Sequence, residues 1–222
     1  MVIAGFTLLH ILVFVYWLGG DLGVFYASTI LTDKNTRAHG RIIAAKILTH
    51  VDMAPRSAMI LTLPTGLTLA DIGGWLDLSE MTLIGAWLFS LAWLALAWAI
   101  HIRHIPPASN WRRLDLIVRG ALIIGLLGFA ISGVAAVFLA LKMAILAITI
   151  LLGLLIRRAL APFGAAFACM VANGPSDATD TTIALCLNQS RPLVLLIWGL
   201  ISVAALLGIA PEILTSSGVP QL

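Results

Sequence analysis

A chain of 222 residues of which 61% are hydrophobic and only 10% are charged is not a soluble globular domain, because such domains carry about 25% charged residues. The net charge of +3 does not indicate nucleic-acid binding, since the basic residues lie at the ends of apolar segments. The composition predicts an all-α polytopic membrane protein that contacts lipid and no nucleic acid.

Six segments are apolar over the length of about 20 residues that a membrane-spanning helix needs. We expect one integral membrane domain, residues 1–222, with six spans near 2–28, 57–72, 81–102, 117–137, 138–156 and 193–209. The first apolar run is too long for a cleavable signal peptide, so we interpret it as a true span. The tryptophans other than Trp17 are predicted to be mostly interfacial or lipid-facing.

Two connecting segments, 32–52 and 159–191, are predicted to lie at the membrane interface. The first has the pattern of an amphipathic helix with its isoleucines toward lipid and its basic residues toward the headgroups. In the second, Ser176 is a plausible N-cap followed by acidic residues, which predicts a helix over 176–189 that enters the last span through a kink at Pro192.

The basic residues predict the orientation of the chain. All but one of the 13 lysines and arginines lie between the first and second, the third and fourth, or the fifth and sixth spans. The positive-inside rule places these connections in the cytoplasm and both termini in the periplasm of a bacterial inner membrane. The exception is Lys142, near the outer end of the fifth span.

The first span carries His10, Trp17 and Asp21 in one line. At 100° per residue, the three side chains fall within about 20° of each other around the helix. Polar groups in a membrane are costly and usually face a bundle interior, so this stripe is a hypothesis for a functional site. The alternatives are a packed His10 bonded to a neighbouring helix and an Asp21 paired with Arg56 or Arg103.

A neutral imidazole inside a membrane bundle is a strong axial ligand for haem iron, which makes His10 a candidate ligand. Lys142 lies at a similar depth and could hold a haem propionate, ligate iron when deprotonated, or contact an acidic substrate group. Its alternative is extension of the ammonium to the membrane surface. On the inner side, His50 and His101 are candidates for a second haem or metal site, while Asp21 could carry a proton.

The chain has no nucleotide-binding loop, no HExxH and no GxSxG. Its two cysteines, Cys169 and Cys186, are too far apart for a CxxC metal site. Chemistry based on these soluble-enzyme motifs is therefore unsupported.

Three short stretches resemble a known family. Leu9-His10, followed after six residues by Trp17-Leu-Gly-Gly, is similar to the first helix of the HemJ-type protoporphyrinogen oxidases and of the CopD-like copper-resistance membrane proteins. Pro55-Arg-Ser-Ala-Met-Ile-Leu-Thr62, running to Gly66-Leu67, resembles the second HemJ-type helix. Phe138-Leu-Ala-Leu-Lys142-Met resembles the third helix, with its Leu-x-x-Lys pattern.

The resemblance covers about half of the chain and has two departures. Two additional spans, over residues 81–137, separate the second and third matching helices. Val24-Phe25-Tyr26 stands where the family has an arginine late in the first helix, and Asp21 is an added acid.

The resemblance implies particular roles for two residues. In the HemJ-type family the first-helix histidine and the third-helix lysine are the essential pair, and the histidine is tied to binding haem b; these roles fall on His10 and Lys142. We therefore expect a haem b redox protein, an oxidoreductase of protoporphyrinogen-oxidase type. Electrons would pass between a reduced substrate, most specifically a porphyrinogen, and a quinone or partner protein. Asp21 and Lys142 would be catalytic, with Trp17 beside the cofactor.

Two other classes of function remain as alternatives. A copper or small-solute transporter of the CopD kind would line its path with His10, Asp21 and Lys142, although copper favours clustered methionine or cysteine ligands. A structural subunit of a membrane complex would bind no cofactor and would tolerate loss of His10. Assembly into a homo-oligomer is compatible with each function.

Overall fold

The computed structural model describes residues 1–106 and 108–209. These residues form helices without any strand, so the all-α prediction is confirmed. The helices are α1 (Val2–Thr32), α2 (Ala38–Val51), α3 (Met53–Ile72), α4 (Glu80–Ile102), α5 (Asn110–Ile131), α6 (Val137–Ala159), α7 (Phe163–Asn173) and α8 (Asp177–Ile209).

Five stretches of the described chain are long and apolar enough to cross a membrane, which makes this a multi-pass membrane protein. They are α1, α4, α5, the stretch Val137–Asn173 that comprises α6 and α7, and α8. The segment predicted as the second of six spans, 57–72, lies in α3, which falls outside this group. Polar Thr65 and Thr68 lower the apolar character of α3, and both are buried in the protein.

Two helix boundaries differ from the sequence prediction. Helix α5 begins at Asn110 rather than near 117, because the Ser109 hydroxyl accepts a hydrogen bond from the Arg112 backbone and caps the helix. It ends at Ile131, just before Gly133, whose φ of 74° favours glycine. Hydrophobicity alone had placed the helix at the apolar residues and missed its polar first turns.

The predicted helix after Ser176 is confirmed as the start of α8. The Ser176 hydroxyl accepts a hydrogen bond from the Thr179 backbone N–H at 3.3 Å, as an N-cap does. The helix then continues through Pro192 to Ile209 without interruption. Much of the predicted interfacial segment 159–191 therefore belongs to α7 and to the first turns of α8.

The chain divides into two compact units. Unit 1 comprises Met1–Val15, Ser57–Leu151 and the segment that begins at Gly199, and unit 2 comprises Tyr16–Arg56 and Leu152–Trp198. Each unit is described separately below.

In unit 1, α3 and α4 run antiparallel and are joined by two indole–hydroxyl hydrogen bonds. The Trp87 indole N–H donates to the Thr68 hydroxyl at 3.0 Å, and the Trp98 indole N–H donates to the Ser57 hydroxyl at 3.1 Å. The two hydrogen bonds lie about three helical turns apart on each helix, so together they fix the register of α3 and α4.

In unit 2, α2 packs against α7 and α8 around a small apolar core. Its buried members are Leu31, Ala44, Met170, Ile183 and Leu187. As expected for the lipid-facing side of an amphipathic helix, Ile43 and Ile47 of α2 are exposed.

The prediction that the basic residues of 32–52 face the headgroups is wrong for Arg41. This residue is 2% exposed, and its guanidinium pairs with Asp180 and donates to the Asp33 carbonyl at 3.0 Å. Asp180, in the first turn of α8, supplies the countercharge that makes burial of the arginine tolerable.

Gly20 allows α1 to approach the start of α3 closely in unit 2. A Cβ atom at Gly20 would lie 2.6 Å from Pro55 Cδ and 3.1 Å from Ala54 Cβ, whereas a Cβ at Gly19 would meet nothing within 4 Å. We expect Gly20→Ala to destabilise the protein by about 1–3 kcal/mol, since the rigid proline ring cannot move aside. Gly19→Ala should instead be stabilising by up to about 1 kcal/mol, because alanine is the better helix former.

Thermal unfolding of both variants in the same detergent measures this difference. Equal melting temperatures for Gly19→Ala and Gly20→Ala would contradict the close approach of the two helices.

Candidate functional site

His10 lies in the first half of α1, within unit 1, and is half-buried. Its Nδ1 atom is 2.8 Å from the Thr65 hydroxyl oxygen of α3. The two helices run antiparallel. This contact confirms the interpretation that His10 is bonded to a neighbouring helix, and it leaves open what the other ring nitrogen does.

The Thr65 hydroxyl favours one tautomer of His10. If its proton is donated to the Leu61 carbonyl at 2.7 Å within α3, its oxygen can accept from Nδ1 and two hydrogen bonds form, whereas donation to Nδ1 would give only one. The favoured tautomer has the proton on Nδ1 and a lone pair on Nε2. No described residue makes a hydrogen bond to Nε2. A histidine held in this way by its other nitrogen is typical of metal-ligating histidines.

Gly66 lies beside the same ring. A Cβ atom built on Gly66 would lie 3.5 Å from His10 Cε1, the ring carbon between the two nitrogens. This distance is an ordinary van der Waals contact, so α3 packs closely against the imidazole at Gly66.

Lys142, near the start of α6, belongs to unit 1 together with His10. It is half-buried, and the imidazole and the ammonium are close enough to interact electrostatically. Its Nζ atom lies 2.8 Å from the position that a Cβ of Gly208 in α8 would occupy, so the ammonium rests against the α8 backbone. Among the described residues it has no hydrogen-bond or ion-pair partner, which leaves it a cation with capacity for an anionic group.

Asp21 lies in unit 2, where it is half-buried beside Trp198. The indole N–H of Trp198 is buried and lies next to the Asp21 carboxyl group without reaching hydrogen-bond geometry with any described residue. Asp52 and Arg56 also act electrostatically on Asp21. The carboxyl group is therefore in a mixed environment of one anion, one cation and one N–H donor.

The alternative that Asp21 pairs with Arg56 or Arg103 is wrong. Arg56 forms its ion pair with Asp52, one helical turn earlier, and Arg103 places its guanidinium over the Trp111 ring. Asp52 is only four residues from Arg56, and a pair at this spacing forms without the approach of another helix.

The remaining candidate residues are Trp17, His50 and His101. Trp17 lies in unit 2 and is 6% exposed. His50, also in unit 2, places Nδ1 at 2.8 Å from the Lys46 carbonyl, whereas His101, in unit 1, packs edge-on against Trp98. The described residues contain no group of three or more His, Cys, Asp or Glu that could hold a metal ion, and a site shared by His50 and His101 stays a prediction.

A buried polar cluster in unit 1 was missed by sequence reasoning. Asp115 of α5 accepts hydrogen bonds from the Trp93 indole at 2.9 Å and from Arg119 Nε at 3.1 Å. The Arg119 guanidinium also lies over the Trp93 ring, 5.3 Å from its centroid, and donates to Met59 Sδ at 3.8 Å. Trp93 is 3% exposed, so its prediction as an interfacial or lipid-facing residue is wrong.

The i,i+4 spacing of Asp115 and Arg119 was the signal that could have revealed this cluster. The span was expected to start near residue 117, which leaves Asp115 outside it and Arg119 in its first turn. Once the Ser109 cap is recognised, the two side chains fall on one face of α5 and can pair.

Comparison of this chain with models of protein families, with curated proteins and with solved structures found no match.

Proposed function

We propose that this protein is a membrane-embedded redox protein that binds haem b through Nε2 of His10. The bound haem would supply one-electron chemistry between a reduced substrate and a quinone or partner protein. The substrate is a porphyrinogen in the most specific form of the proposal, and the membrane is a bacterial inner membrane with both termini in the periplasm.

The hydrogen bond between His10 and Thr65 carries the proposal. In the tautomer that this bond favours, Nδ1 donates to the Thr65 hydroxyl and Nε2 keeps a lone pair that no described residue uses. Axial histidines need this arrangement, since the hydrogen bond to the second nitrogen fixes the ring and raises the basicity of the ligating nitrogen.

Lys142 supports the proposal through its charge. Haem b carries two propionate groups, and a half-buried cation without an ion-pair partner among the described residues is suited to hold one of them. In this proposal Lys142 contacts the propionate or an acidic group of the substrate. Asp21 takes up or releases the proton that accompanies electron transfer.

The absorption spectrum of the purified protein tests the proposal. After expression with ample haem, the oxidised protein should show a Soret band, and dithionite should sharpen the α and β bands as it does for b-type haem. A colourless protein from the same preparation would overturn the proposal. Oxidation of a porphyrinogen by the coloured protein would then test the substrate.

Thr65 is a positioning residue in this proposal, and its removal has a specific consequence. Thr65→Val keeps the shape of the side chain but removes the acceptor for the His10 Nδ1–H. We expect haem affinity to fall about 10- to 100-fold, the usual effect of losing the second hydrogen bond of a ligating histidine. Haem titration of the apoprotein, followed at the Soret band, measures the change.

Two variants on the same helix separate this role from a general loss of packing. Thr65→Ser restores the hydroxyl and should recover most of the affinity. Thr62→Val removes a hydroxyl that bonds to the Ala58 carbonyl of its own helix and should leave the affinity unchanged. Equal affinities for the Val and Ser variants at position 65 would show that Thr65 does not orient His10.

A further inference from the structure

A groove of about 430 Å³ lies in unit 2, where the chain leaves α1 and α8 begins its passage toward the membrane. Lys34 lies on one side, just after the end of α1. The residues on the other side come from the first turns of α8. The full lining is Lys34, Asp180, Thr181, Ala184, Leu185, Asn188 and Gln189.

The α8 side of the groove is one face of the helix. Thr181, Leu185 and Asn188 are spaced by three or four residues and therefore lie above one another along the helix. Leu185 is 52% exposed, and small Ala184 lies next to it. The face thus combines polar ends with an exposed apolar middle, a pattern suited to a ligand that is itself polar and apolar.

Asn188 lines the groove, and its Oδ1 atom accepts a hydrogen bond from Arg191 at 3.0 Å. The remaining NH₂ group can only donate. Together with the Thr181 hydroxyl, it offers hydrogen bonds that suit an oxygen anion.

Of the two charged residues that line the groove, Lys34 and Asp180, only Lys34 has no partner among the described residues. The Asp180 carboxylate is neutralised by buried Arg41. The Asp33 carboxylate is turned into its own loop, where bonds from the Asn35 backbone N–H and the Thr36 hydroxyl hold its pKa below the ordinary value. Lys34 is exposed and forms no ion pair with any described residue, so its charge is available to a ligand.

We infer that this groove binds the headgroup of an anionic phospholipid. The phosphate would lie between the Lys34 ammonium and the donors of α8, and an acyl chain would pass over exposed Leu185 along the membrane-spanning part of the helix. The volume is within the range of small-ligand sites. Anionic lipid headgroups attract lysines and arginines that lie next to a membrane span. The inference is independent of the haem proposal.

Native mass spectrometry of the detergent-purified full chain tests the inference. The protein is titrated with phosphatidylglycerol, and the apparent affinity of the first bound lipid is compared between variants. We expect Lys34→Gln to weaken binding about five-fold, the effect of one interfacial lysine. Lys46→Gln, which removes an exposed lysine of α2 outside the groove, should change it little.

A second variant tests the α8 side of the groove. Asn188→Asp keeps an oxygen for Arg191 but replaces the donors with a negative charge, so it should weaken phosphatidylglycerol binding at least as much as Lys34→Gln. Equal affinities of the wild type, Lys34→Gln and Asn188→Asp would overturn the inference, provided that their circular dichroism spectra agree. If Asn188→Asp does not fold, the comparison of Lys34→Gln with Lys46→Gln still tests whether the lysine at the groove is the one that binds the lipid.

Two further arms identify the source of the phosphate. Phosphatidylcholine, which has no net charge, should bind more weakly than phosphatidylglycerol. Millimolar inorganic phosphate should not displace the lipid, because it lacks the acyl chain that contacts Leu185. Displacement of the lipid by inorganic phosphate would show a site for a free anion and would also overturn the lipid assignment.

Discussion

His10→Ala is expected to abolish the haem absorption of the purified protein. The lone pair of Nε2 is the proposed bond to iron, and alanine offers no ligand in its place. Loss of an axial ligand removes the main anchor of a b-type haem, which has no covalent link to the chain. The Soret absorbance per milligram of protein, for the wild type and the variant prepared side by side, measures the effect.

Other histidines provide controls for this experiment. His39 is exposed in the first turn of α2, so His39→Ala should retain the full Soret band. His50→Ala and His101→Ala test the second site predicted from the sequence. If one of these variants loses the band while His10→Ala retains it, the proposed ligand is wrong.

Arg119→Met is expected to destabilise the protein by about 3–5 kcal/mol. The substitution keeps an apolar stem but leaves the Asp115 carboxylate, which is 1% exposed, without its cation. Removing one partner of a buried ion pair has this effect because the remaining charge stays in a medium of low polarity. Thermal or denaturant unfolding in a single detergent measures the loss.

The double variant Asp115→Asn, Arg119→Met should recover much of this stability. It removes both charges together, and the asparagine oxygen can still accept from the Trp93 indole. Arg113→Met, on the exposed side of the same helix, should have an effect of at most about 0.5 kcal/mol. A single Arg119→Met variant as stable as Arg113→Met would contradict a buried pair.

The outcome of the Arg119→Met experiment does not depend on the outcome of the His10→Ala experiment. The Arg119 variant tests the packing of α4 and α5 without reference to any cofactor. The His10 variant tests a ligand whose loss changes the spectrum, and an unchanged melting temperature in the absence of haem would show that the fold is retained.

The candidate site was predictable from the sequence only in part. The chemical types of His10 and Lys142 identified them as unusual residues for a membrane helix, and the structure places both in unit 1. Thr65 could not be predicted, because a threonine that bonds back to its own helix is common in apolar helices and shows nothing of its neighbour. Its role depends on α3 crossing α1 at that height.

The pairing of the charged residues shows the same limit. Asp21 was expected to pair with Arg56 or Arg103, but Asp52 is the partner of Arg56. Arg41 was expected at the headgroups, but Asp180, far away in the sequence, draws it into the core of unit 2. The Arg41–Asp180 pair became known only when helices distant along the chain were placed together, whereas the Asp52–Arg56 pair is local.

The sequence by itself determined the all-helical architecture and most of the membrane-crossing segments. A helix in lipid satisfies its own backbone hydrogen bonds, so a continuous apolar run of sufficient length is enough to specify it. The tertiary structure decided which polar side chains are buried and which atoms they meet, as for Trp93 with Asp115 and His10 with Thr65. The physical reason is that the cost of burying a polar group depends on its partner, and the partner lies on another helix.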